Sequence, residues 1–82
     1  MTFEEFKKDI KDGINELPNN WRYGQKVFNY IDAQYGVART VQFIDGIDCF
    51  YNDDIVDAFV IRSYEYIVRQ NTKNQTDEKV DL

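Results

Sequence analysis

"VARTVQFIDGIDCFYND", residues 37–53, decides the fold. Strict alternation would set Val37, Val41 and Phe43 on one side of a strand but would strand Arg39 between them. A helical turn groups Val37, Val41 and Ile44 at i, i+4 and i+7 and leaves Arg39, Thr40 and Gln42 outside. The spacing favours a short helix within 37–47, then a loop through Asp45-Gly46; a local β-hairpin is the alternative. On the first reading the chain is mainly α, and on the second a sheet element is built into a helical protein.

The flanking segments are helical on either reading. Downstream, Asn52, Asp53 and Asp54 supply a cap and first-turn acids for "DIVDAFVIRSYEYIVRQ", residues 54–70. Its main apolar stripe is Ile55, Val56, Phe59, Val60, Tyr66 and Ile67, and Ile61, Tyr64 and Val68 form a second, nearly opposite. A helix apolar on two sides is sandwiched within its own domain or shows one side to something else. The tail "NTKNQTDEKVDL", residues 71–82, lacks periodicity and is expected to be disordered.

Upstream, "NNWRYGQKVFNYIDAQYG", residues 19–36, reads as a helix capped by Asn19 or Asn20 and stopped by Gly36. Trp21, Gly24, Val27, Phe28, Ile31 and Tyr35 share one side, with Gly24 marking a place where another backbone comes close. The first helix opens on Thr2 and Glu5, the spacing of a capping box, and buries Phe3, Phe6, Ile10, Ile14 and Leu17 before Pro18. Gly13 lies on that buried side, again permitting a close neighbour. The expected architecture is a mainly α, compact orthogonal bundle of three helices plus one short helix or hairpin at 37–47, occupying residues 1–70.

Residues "WRYGQKVFN" followed by "DCFYND" resemble a pattern in small uncharacterised phage and mobile-element proteins, W-R-x-G-Q-x-x-F-N and then D-x-F-Y before an acidic helix start. The matching positions are Trp21, Arg22, Gly24, Gln25, Phe28 and Asn29, then Asp48, Phe50, Tyr51 and Asp53. Cys49 stands where that pattern has a proline. The resemblance implies a compact helical fold and a viral context, and supplies no catalytic residue.

Arg22, Gln25 and Asn29 lie beside the buried stripe. Amide side chains both donate and accept, which suits them to holding backbone groups of an irregular loop. They are read as a polar clamp on residues 45–51, with Asp48 meeting Arg22.

Composition narrows the function. The 82 residues include 10 Lys and Arg, 15 Asp and Glu, and no histidine, for a net charge of −5. The excess acid lies in residues 37–69, which argues against a phosphate-binding surface and against direct nucleic-acid binding. Cys49 is the only cysteine; without a histidine to activate it, the expected role is a small buried hydrophobe. An unpaired thiol and the lack of a long apolar run point to a cytoplasmic protein with no membrane contact. Asp45, Asp48, Asp53, Asp54 and Asp57 do not follow the spacing of a calcium-binding loop, and no metal, cofactor or catalytic residue is expected.

The surplus aromatic residues suggest binding. Tyr23 and Tyr30, outside the core stripe of their helix, and Ile61, Tyr64 and Val68 are candidates for contact with a protein partner or a second copy in a homodimer. The expected function is a non-enzymatic protein interaction module. The alternative is an acidic inhibitor or nucleic-acid mimic presenting Asp45, Asp48, Asp53, Asp54, Asp57 and Glu65 to a basic enzyme.

Overall fold

A computed structural model gives the fold; the structure describes the backbone of residues 1–80 and the side chains of residues 1–70. Four α-helices follow one another: α1 (Phe3–Ile14), α2 (Tyr23–Tyr35), α3 (Ala38–Ile44) and α4 (Val56–Val80), the last entered through a 3-10 turn at Asp53–Ile55. There is no strand among the described residues, so residues 37–53 are a short helix and loop and the protein is mainly α. Among the described residues no helix is long and apolar enough to cross a membrane.

Local signals account for most of the boundaries. Thr2 and Glu5 form the capping box, Glu5 N–H donating to Thr2 Oγ1 at 3.1 Å and Thr2 N–H to Glu5 Oε1 at 2.7 Å. Gly36 closes α2 in the left-handed region at φ 70°, where a side chain would be strained, and its N–H donates to both Ile31 and Asp32 carbonyls. α1 stops at Ile14, sooner than the apolar spacing to Leu17 suggests, and a turn precedes Pro18. α4 continues to Val80, past Gln70 where the apolar periodicity ends. The disordered tail expected over 71–82 falls where side chains, and at 81–82 the backbone as well, lie outside the described residues.

The core gathers one stripe from each helix: Phe6 and Ile10 from α1, Val27, Phe28 and Ile31 from α2, Val37, Ala38 and Val41 around α3, and Val56, Phe59 and Val60 from α4. Fully burying a side chain such as Phe6 or Phe59 stabilises the fold by ~1.5–3 kcal/mol. Phe28 bridges α2 to both loop and α4, its ring 5.7 Å from Phe50 and 5.4 Å from Phe59.

Two apolar placements differ from the sequence pattern. Trp21 is only half-buried and lies outside the core, because the chain is not yet helical there and the α2 stripe starts at Gly24. Ile44 stands in water with Phe43, each 74% exposed, because α3 ends at Ile44 and only its first turns rest on the core. Ala38 takes the place in the core that the pattern assigned to Ile44.

Candidate functional site: a closed seam and an open groove

The polar residues nominated from the sequence fall at a seam where residues 45–53 lie across the start of α2. Gly24 is its centre. Its N–H donates to Asp53 Oδ1 at 2.8 Å, and its carbonyl accepts from the Cys49 thiol at 3.4 Å. A methyl group at Gly24 would collide with the Cys49 carbonyl, which confirms the close backbone approach. Asp53 thus caps α2 from 29 residues away, the task the sequence assigns to Asn19 or Asn20; the helix itself starts from Arg22 with no side-chain cap.

Of the residues nominated as a clamp, only Arg22 reaches from α2 to the loop. Arg22 Nη1 donates to the Tyr51 carbonyl at 3.4 Å, and no Arg22–Asp48 pair forms. Asp48 instead folds its own loop, accepting from Gln42 Nε2 at 3.0 Å and Phe50 N–H at 2.9 Å. Gln25 and Asn29 are half-buried and make no hydrogen bond to the loop among the described residues; the Gly24 backbone does that work, bonded to the Asp53 carboxylate and the Cys49 thiol. Burial pushes the Cys49 thiol up from 9.0 to about 12, with the Asp48 charge adding to it, so it stays protonated at neutral pH.

The nominated acids are mostly engaged inside the molecule. Asp45 meets Arg62 at 3.0 Å and accepts from the Tyr66 hydroxyl at 2.8 Å; Arg62 also reaches Glu65 at 2.7 Å. The Arg62 guanidinium first, and then Tyr66, hold the Asp45 carboxyl below its usual range. With Asp48 and Asp53 tied to the seam, only Asp54 and Asp57 of the six have carboxylates without any partner among the described residues.

The nominated tyrosines separate. Tyr30 packs over Gly13, which supplies the space foreseen there, and its hydroxyl pKa is raised by burial first and then by Asp9. Neighbouring Tyr35 donates to the same Asp9 carboxylate and sets its ring edge-on to Phe6, 5.0 Å away, locking α2 to α1. Tyr64 lies with its ring 5.2 Å from Phe3 and 5.7 Å from Phe6 and donates to the Met1 carbonyl at 2.8 Å, so much of it is internal. Tyr23, Ile61 and Val68 remain outward, at 51%, 50% and 43% exposure.

Tyr23 and Ile61 belong to an open groove of about 620 Å³ between α1 and the first turns of α4. Phe3, Ile10 and Ile14 form its α1 wall, Val56, Val60 and Ile61 its α4 wall, and Tyr23 adds a further aromatic surface. Lys7 and Lys11 belong to the α1 side and Asp57 to the α4 side. Lys7 is already held by Glu4 at 3.1 Å and rests over the Phe3 ring, whereas Lys11 and Asp57 form no ion pair among the described residues. Further along α4, Tyr64, Glu65, Val68 and Arg69 border a shallower depression. The α1 contribution was hidden from sequence reasoning, because Phe3, Ile10 and Ile14 read as wholly internal; the spacing of Lys7 and Lys11 beside that stripe was the available signal.

No protein-family model, curated protein or solved structure matches this chain. The fold and the groove define a small, mainly α protein with an apolar concavity edged by opposite charges.

Proposed function

We propose that this protein is a non-enzymatic protein–protein interaction module that binds through the α1–α4 groove, in a cytoplasmic phage or mobile-element setting of the kind its sequence resembles. The observation that carries the reading is the groove itself: an apolar concavity with half-exposed Tyr23 and Ile61 at its edge and charges around it. Apolar contacts inside a polar rim are the usual anatomy of a protein-binding surface. Phe43 and Ile44 at the end of α3 are more exposed, but they stand on a seven-residue helix and do not line the groove.

Chemistry is a weaker use of these residues. Histidine is absent, the single thiol is held protonated, and most of the nominated carboxylates already accept hydrogen bonds from the chain's own groups. Asp45 and Asp48, the two half-buried acids of the six, are engaged within the chain, which weakens the reading as a nucleic-acid mimic.

Photo-crosslinking tests the reading. A benzoylphenylalanine at position 61 should yield adducts in the source cell or with purified protein, and one at Arg39 should yield none. Equal labelling at both positions, or none at either, would refute a docking role for the groove.

A further inference from the structure

The groove presents both halves of an ion-pair set. Its α1 side carries Lys7 and Lys11 one turn apart, and its α4 side carries Asp57. Asp57, Ile61, Glu65 and Val68 succeed one another at intervals of four, four and three residues, so they share one strip of α4. That strip is an apolar ridge of Ile61 and Val68 flanked by carboxylates. The wall facing it across the groove is an apolar channel edged by lysines.

We infer that the occupant of the groove is a second copy of this chain, placed by a two-fold axis running along the groove so that the α4 edge of each copy enters the groove of the other. The inference rests on the docking role proposed above and names the partner. An axis in that direction exchanges the two sides: the α1 wall of one copy meets the α4 edge of its mate. Ile61 then fills apolar space between Ile10, Ile14 and Val60 of the mate. Lys11, without an ion pair among the described residues, meets the mate's Asp57, likewise without one, and Lys7 and Glu65 lie next to that contact. Each favourable contact occurs twice. The excess acid of a chain with net charge −5 would oppose bringing two copies together, and the groove is a place where lysines outnumber acids.

Charge exchange gives a test specific to this symmetry. Lys7→Glu with Lys11→Glu makes one variant, and Asp57→Lys with Glu65→Lys makes the other. Sedimentation velocity is run on each alone and on an equimolar mixture, with circular dichroism melts showing that both fold. Wild type should dimerise by about 1 mM chain, a concentration that populates even a millimolar dimer. Each variant alone should dimerise at least tenfold more weakly, since like charges now face one another, and the mixture should recover the wild-type constant because every contact pairs opposite charges again. A wild type that stays monomeric, or folded variants whose mixture behaves like its components, overturns the second copy as occupant. If position-61 crosslinks then lead to a different protein, the docking role stands without self-association. Should those crosslinks also be missing, both fall.

Discussion

The seam at Gly24 and the groove at Ile61 are built from similar materials and reach opposite ends. Each brings aromatic and aliphatic side chains together with aspartates at the junction between α4 or its approach and an earlier helix. At the seam the groups at its centre have partners: Gly24 N–H has Asp53, Gly24 C=O has Cys49, and Asp48 has Gln42 and Phe50. No space is left even for a methyl group. At the groove there is room, and Lys11 and Asp57 have no ion-pair partner among the described residues. A filled and satisfied junction holds a fold; an open one with unmatched charges suits a contact not yet made.

The comparison is broken most severely at Gly24. Gly24→Ala should cost about 3 kcal/mol or more, since the obstacle is the Cys49 backbone and cannot move without lifting the loop. A chain of this length has roughly 4–12 kcal/mol of stability in total, so a urea melt should show a large loss. Gly13→Ala is the internal control. There the obstacle is the far side of the Tyr30 ring, which can swing, and alanine favours the helix by ~1 kcal/mol. Its melt should stay within about 1 kcal/mol of wild type.

Alkali should reach the seam next. Cys49 has its pKa raised on folding, so above 9.0 the unfolded thiol loses a proton that the native thiol keeps until about 12. The native state binds more protons in that window, and stability falls as pH rises, by up to ~1.4 kcal/mol per pH unit. Cys49→Ala removes this contribution, so its stability, measured by urea melts between pH 9 and 11, should fall less steeply than that of the wild type. Tyr30, Tyr35 and Tyr66, also raised, add the same sign to both proteins.

Asp53→Ala uncaps α2 and should cost about 1 kcal/mol, read from thermal melts at neutral pH. Ile61→Glu should have the smallest effect on stability, within about 0.5 kcal/mol in dilute solution, because the side chain is half in water. If the groove is only a surface hollow, that variant will associate just as the wild type does.

Much of this division is legible in the sequence. The Thr2–Glu5 capping box, Gly36 as a helix stop and the closeness required at Gly13 and Gly24 are all local or helix-face signals, and the structure has each of them. What is not legible depends on distant pairing. Asp53 as the cap of α2 replaces a nearby asparagine with a residue 29 positions on, and helix periodicity carries no information about that choice. Arg22 reaches a carbonyl rather than Asp48 for the same reason. Ile44 misled because the i, i+4, i+7 rule assumes a helix covered along its length, and α3 is covered only at its start. Tyr64 misled in the opposite sense: opposite the main stripe of α4 it should face water, but α1 wraps far enough to set Phe3 and Phe6 against it.

A dilution series followed by residue-resolved NMR tests most directly whether the open junction makes the intermolecular contact. Backbone amide and methyl signals would be recorded from micromolar to millimolar chain. The predicted result is concentration-dependent shifts at Ile10, Lys11, Ile14, Asp57 and Ile61, with Gly24, Cys49 and Asp53 unmoved. Spectra that do not change with concentration, or changes centred on Phe43 and Ile44 instead, would contradict it.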